Sequence, residues 1–320
     1  MRRYALRRVV QIIPVMLFIA IVNFLLIHLA PGDPAAALAG EGAPQEFIEA
    51  LRVDYGLDKP LIEQLGLYLA TLAQGDLGYS FAYRRPVIEV IVERLPATLL
   101  LVLSSQLPAI VLGTLLGAFS ARHYPSKVDS VITGVSLSLY AMPIFWSGLL
   151  LILIFAVMLR WLPASGMFSF SAPPDGIGRA LDIARHMILP ATALFLYSLP
   201  QYVRLTRASV IEIMREDFIT TARAIGYSEN VVFLKHALRN ALLPAVTVAG
   251  LSLSFVFAGA LLTETVFGWP GLGRLMYEGV LKRDYPVLMG VFIVTSALVL
   301  IVGILTDLVY AALDPRVSYE

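Results

Sequence analysis

Six long apolar runs punctuate the chain, at residues 9–30, 97–120, 131–159, 187–203, 241–262 and 287–306, each bounded by charged or Pro/Gly-rich segments. A helix needs about 20 apolar residues to cross about 30 Å of hydrocarbon at 1.5 Å per residue. The pattern predicts an all-α, polytopic membrane protein with six transmembrane helices. The first run is broken only by Gln11, Pro14, Asn23 and His28, and it follows Arg2, Arg3, Arg7 and Arg8. It is longer than a signal-peptide core and more spans follow, so despite the cleavage-like Ala37-Leu38-Ala39 it reads as an uncleaved first span. The third run is long enough to tilt, or to kink where Pro143 removes a backbone hydrogen bond. Pro108, Pro190 and Pro200 mark other bends.

Composition narrows the class. The 320 residues are 58% hydrophobic and 15% charged, with mean hydropathy +0.78, whereas soluble domains carry about 25% charge. Disorder and an ordinary soluble enzyme are both disfavoured. With no cysteine there is neither a disulfide framework nor a thiolate metal site. A net charge of +1 leaves no basic footprint for nucleic acid.

Charge placement sets the orientation. With the N-terminus cytoplasmic, the inside segments hold thirteen Lys and Arg against eight acids, and ten acids fall in the loop 31–95. The expected layout is a cytoplasmic N-terminus (1–8), a first span (9–30) and an extracytoplasmic loop with short helices (31–95). A core of five spans (96–312) follows, with a cytoplasmic loop at about 207–240, then a cytoplasmic C-terminus (313–320). Within the outer loop, amphipathic stretches at 47–53 and 61–73 predict short helices lying on the membrane face.

Several chemistries are missing. None of the four lysines, Lys59, Lys127, Lys235 and Lys282, follows a glycine, so there is no phosphate-cradling GxxxxGK[ST] loop. The four histidines lack HExxH spacing, and no metal site is expected. Ser104, Ser105 and Ser254 have no mid-span base to activate them, which argues against an intramembrane hydrolase. No ionisable group sits mid-membrane, which counts against an ion-coupled carrier working alone. No catalytic residue is expected.

The most informative stretch runs from 215 to 244, REDFITTARAIGYSENVVFLKHALRNALLP. It predicts helix, break, helix: Asp217 as N-cap, a helix through Thr220 to Ile225, a left-handed stop at Gly226, and Ser228 capping a second helix through Val231, Leu234 and Leu238. Its wording resembles the cytoplasmic coupling loop of ABC importer permeases, whose Glu-Ala-Ala-x-x-x-Gly core here reads Thr220-Thr221-Ala222-Arg223-Ala224-Ile225-Gly226. The departures at the first two positions, with TARAIG (221–226) and HALRNALLP (236–244), are similar to the dipeptide, oligopeptide and nickel branch. LAPGDP (29–34), YGLDKPLIEQLGLYLATLAQGDLGYSF (55–81), LPATLLL (95–101) and TETVFGWPGLGRL (263–275) extend the resemblance over nearly the whole chain.

The resemblance implies the B-type permease subunit of an importer that moves dipeptides, oligopeptides or a related small solute by alternating access. It implies as partners a paralogous C-type permease, one or two ABC ATPase subunits and an extracytoplasmic solute-binding protein, all at a lipid bilayer. It also implies that ATP and Mg are bound by the ATPases and no cofactor by this chain. Glu216, Asp217, Thr220, Thr221, Ala222, Arg223, Ala224 and Gly226 would form the ATPase-coupling knob, the small residues allowing close approach and the charged ones polar contact at its rim. Phe267, Trp269, Pro270 and Gly271 lie in a turn-rich segment that reads either as an ordinary interfacial turn or as an outer gate or binding-protein contact. In span five, Gly250, Ser252, Ser254, Ala258 and Gly259 suit close helix packing or a neutral polar lining.

Overall fold

The computed structural model describes residues 2–29, 33–39, 43–54, 56–80, 82–242, 249–250 and 260–313. The chain divides into two compact units, Met1–Leu99 with Pro270–Ile301, and Leu100–Trp269 with Val302–Glu320. The fold is almost entirely helical. Span five falls largely outside the described residues, as do Pro244, Ser252, Ser254, Ala258, Gly259 and the C-terminal 314–320.

In the first unit, α1 (Arg2–Leu29) carries the first predicted span. The loop after it holds three short helices, α2 (Pro34–Ala39), α3 (Gln45–Asp54) and α4 (Leu61–Ala73), the last two where amphipathic spacing places them. A small antiparallel hairpin, β1 (Tyr79–Ser80) with β2 (Arg85–Pro86), then leads straight into the long helix α5 (Val87–Arg122). α5 thus begins at Val87, ahead of the apolar run that starts at residue 97. Charges at Glu89, Glu93 and Arg94 mark where apolar composition starts, but they do not interrupt helical hydrogen bonding.

The core of this unit is built from Val87, Val90 and Ile91 of α5, Leu272 and Leu275 of α11 (Leu272–Lys282), and Val287 and Val291 of α12 (Tyr285–Leu313). Polar ties pin its edges. Asn23 donates its side-chain amide to the Met289 carbonyl at 3.1 Å, and His28 meets Gln64 at 2.8 Å. The hairpin is tied to α11 and the turn beyond it: Ser80 Oγ donates to Asp284 and Tyr83 Oη donates to Glu278 at 2.6 Å.

In the second unit the third predicted span is two helices. α6 (Lys127–Ala141) starts at Ser126, whose side chain accepts from the Asp129 backbone N–H. It ends at Met142, extended at φ −81°, ψ 123°, because a residue preceding proline is pushed out of the α region. After Pro143, α7 (Ile144–Leu151) continues into a π-helical segment, Ile152–Met158, and the two arms bend by 98°. α8 (Gly176–Ile213) extends the fourth predicted span at both ends and keeps Pro190 and Pro200 within one helix, as α5 keeps Pro108.

Among the described residues, two helical segments, Val87–Arg122 and Tyr285–Leu308, are by themselves long and apolar enough to cross a membrane, and the bent pair supplies a third. α5 shows how such a helix partitions its faces. Leu103, Leu107, Val111 and Leu115 recur every fourth residue and are exposed, while Leu101, Val102, Ser105, Gln106 and Ala109 are fully buried. An apolar stripe is thus left on the outside of the chain while Ser105 and Gln106 are turned inward with Leu101, Val102 and Ala109, the reverse of the polar-out pattern of a soluble helix.

Candidate functional site: the loop beyond α8

α8 ends at Ile213, and after a short turn the chain re-enters helix as α9 (Asp217–Ala224). Glu216 occupies the N-cap position, with no side-chain hydrogen bond to the helix, and Asp217 is the first helical residue. This corrects the expectation that Asp217 caps the helix. Its carboxylate still lies in the first turn, where negative charge suits the helix dipole.

The far end of α9 is closed as expected. The Gly226 N–H donates to the Arg223 carbonyl at 3.0 Å and the Tyr227 N–H to the Ala222 carbonyl at 3.3 Å, the double bond pattern of a Schellman stop. Gly226 sits at φ +95°, a conformation that a side chain makes costly. The chain then turns into α10 (Glu229–Val231), continued by the π-helical segment Val232–Leu238. Ser228 occupies the N-cap position with no side-chain bond.

The two loop helices fold onto each other. Ile219 and Ala222 of α9 are buried against Val232 and Ala237, with Ile213 and Met214 at the edge. Ala222 is thus spent inside the chain instead of on an outward face. Arg223 reaches across the break and clasps Glu229 with both Nε (2.8 Å) and Nη2 (3.3 Å). Those hydrogen bonds hold the Glu229 carboxyl below its ordinary value. The clasp is therefore formed at neutral pH and is lost as acidification carries Glu229 through that lowered value.

Turned outward are Glu216, Asp217, Thr220, Thr221, Ala224 and Gly226, together with the large apolar side chains of Phe218, Ile225 and Tyr227. Ile225 is 69% exposed and with Phe218 and Tyr227 leaves apolar surface on the outside of the loop. Beside it, the end of α8 borders a groove of about 490 Å³ lined by Tyr124, Arg207, Ala208, Ile211, Glu212, Arg215 and Glu216.

The other candidate segment is placed differently. Phe267 and Trp269 are buried, at 2% and 0% exposure, Gly271 is buried and Pro270 half-buried. Phe267 packs on Leu189 and Ala193 of α8, among Leu151, Ile152 and Phe155, and its carbonyl accepts from the Gly166 N–H at 2.8 Å. In this conformation both rings are packed inside the chain and neither is exposed. Among the described residues no group of three or more His, Asp or Glu is arranged to hold a metal ion.

Against known proteins, residues 113–319 match the family model described as the binding-protein-dependent transport system inner membrane component, and residues 1–102 match the N-terminal model of such components. The chain belongs to this permease family. The permease is 39% identical over 338 residues to the dipeptide transport system permease of Escherichia coli (strain K12), covering 100% of each. It is 40% identical over 336 residues, again covering 100% of each, to the di/tripeptide transport system permease of Pseudomonas aeruginosa (strain UCBPP-PA14). A solved structure of the methionine ABC transporter MetNI in an inward-facing conformation shares the fold, with a TM-score of 0.57 and 18% identity, covering 71% of this chain and 97% of that one. The permease is thus an inner-membrane, multi-pass transport component of an ABC importer, and not an enzyme.

Two features of the permease escaped the sequence reading. Gly113 and Gly117 of α5 meet the backbone of α8: a Cβ on Gly117 would lie 2.5 Å from the Val203 carbonyl oxygen, and one on Gly113 2.6 Å from Tyr202 Cβ. Their GxxxG spacing was the available signal. The second is an ion pair between the buried Asp129 and the half-buried Arg207, 78 residues apart, for which no local signal exists.

Proposed function

We propose that this permease is the B-type transmembrane subunit of an importer for dipeptides or short oligopeptides, with 217–238 as the loop through which partner ATPases drive it. The peptide class is supported by the names of relatives about 40% identical over their full lengths. The coupling role rests on one observation: α9 and the turn after it present Phe218, Ile225 and Tyr227 outward, while Ile219 and Ala222 on the opposite face of α9 pack on Val232 and Ala237 of the π-helical segment. A rigid knob with an apolar crown is suited to enter a groove on another protein and to carry a push without deforming. Glu216, Asp217, Thr220, Thr221 and Ala224 form its polar and small-residue rim. Ala222 and Arg223 hold the knob together, and Gly226 sets its angle.

In this reading 1–8, the 207–240 loop and 313–320 are cytoplasmic, and the loop 31–95 faces a solute-binding protein outside. A C-type permease completes the pathway, and ATP with Mg is bound and hydrolysed by the ATPases. Closure of the ATPases pushes α9, and α8 swings with it to exchange inward- and outward-open states. With Phe267 and Trp269 buried, the segment 267–271 acts on any outer gate through packing.

The test is purification of the tagged chain from its native membrane in mild detergent, followed by mass spectrometry. A second permease and one or two P-loop ATPases are the expected companions. The chain recovered alone and active in uptake would overturn the assignment in favour of an independent carrier. Within the assembled complex, Gly226→Glu is expected to abolish uptake with insertion intact, since a side chain at φ +95° costs about 1–2 kcal/mol and re-aims the knob. Gly226→Asn, which tolerates that conformation, should retain most uptake.

A further inference from the structure

A single carboxylate gathers three helices at the loop end of the second unit. Asp129, on the first turn of α6, is 5% exposed. Its Oδ1 accepts from Ser120 Oγ of α5 (2.5 Å) and from Arg207 Nε of α8 (2.5 Å), and its Oδ2 accepts from Arg207 Nη2 (2.8 Å). The Arg207 guanidinium also lies 5.1 Å from the Tyr124 ring, in the turn joining α5 to α6. Two residues further along α5, Arg122 donates to Asn230 of α10 and lies 5.4 Å from the ring of Phe233.

Burying a charge pair is costly, and apolar side chains of similar volume stabilise a helix junction as well or better. What the pair adds is geometry. A bidentate guanidinium–carboxylate fork fixes both distance and angle, and the Ser120 hydroxyl makes that arrangement common to a third helix. Arg207 lies fewer than two turns before α8 ends at Ile213 and the chain passes into α9. A displacement of α9 therefore reaches α8 beside the fork, and α5 and α6 are bound to move with it.

We infer that Asp129 is a positioning residue for energy coupling, holding the ends of α5, α6 and α8 as one body so that a push on the 217–238 loop moves all three together. The inference rests on the coupling role proposed for that loop. Its function is to keep transport in step with ATP hydrolysis, which a purely stabilising contact would not do.

The test uses the full transporter in proteoliposomes with its binding protein, reading ATP hydrolysed per peptide taken up. The double variant Asp129→Leu/Arg207→Leu removes both charges and keeps apolar packing. It is expected to assemble and hydrolyse ATP, with the ATP-to-peptide ratio raised at least about tenfold, the scale of one charge-assisted hydrogen bond. Arg207→Lys keeps the charge but loses the fork, and is expected to raise the ratio by less. Assembled variants with the parent's ratio would overturn the inference, as would losses of uptake and hydrolysis in equal proportion. A parent complex in which uptake ignores ATP would instead overturn the coupling reading itself.

Discussion

Gly117→Leu is expected to remove most of the folded permease from the membrane fraction. A Cβ at this position would lie 2.5 Å from the Val203 carbonyl oxygen, 2.9 Å from Thr206 Cβ and 3.2 Å from the Arg207 backbone nitrogen. Two of these are backbone atoms of α8, so no rotamer change relieves the clash. The helices must separate, and separation breaks the contacts around Gly113 and the fork at Arg207 in the same step. Overpacking in a tight core typically costs about 1–3 kcal/mol, and a leucine forced between two backbones belongs at or above the upper end. The measurement is the yield of monodisperse protein by size-exclusion chromatography, with the thermal midpoint of whatever survives. Gly134→Leu on α6 is the control, because a Cβ there meets nothing within 4 Å. Equal tolerance of both substitutions would show that the α5–α8 approach is looser than described.

Glycine 117 also shows what kind of information the chain carries openly. Runs of apolar residues place the helices of a membrane protein because the bilayer demands length, and α1, α5 and α12 lie where the runs predict. The helices run past the apolar stretches for a physical reason: the hydrocarbon boundary is marked by composition, whereas a helix ends where its hydrogen bonding stops. α5 accordingly begins at Val87, and α8 runs from Gly176 to Ile213 around a predicted span of 187–203.

Helix faces were harder to read. In lipid the leucine stripe of α5 points outward, so hydrophobic spacing does not announce that Gln106 is buried and hydrogen-bonded to Ser198 at 2.8 Å. The loop was legible because its signals are local. Gly226 needs a positive φ and sits at the end of eight helical residues, so it could be named from its neighbours alone. Asp129 and Arg207 count among the charges placed inside, but their pairing is set by tertiary packing. Arg223 was expected at the rim of an interface, and the nearer carboxylate of Glu229 takes it first.

Phe267→Ala is expected to lower the stability of the permease by about 3–5 kcal/mol, the usual cost of deleting a buried aromatic ring. The sequence offered two readings of this residue, an exposed outer contact or an ordinary turn, and the structure gives it a third role as a core side chain. Phe267 is 2% exposed and fills the space between Leu189 and Ala193 of α8 and the π-helical arm that follows α7. A Cβ on Gly148 would come within 3.1 Å of its ring, so α7 also approaches it closely. Phe267→Leu, which keeps an apolar side chain in that space, should cost less than half as much. Thermal unfolding in detergent separates the readings: a core role predicts a large drop in midpoint for alanine and a small one for leucine, with neither depending on the solute-binding protein. If alanine left the midpoint unchanged while weakening capture of that protein, Phe267 would belong to a docking surface, and the packing around Leu189 would have to open for the ring to reach it.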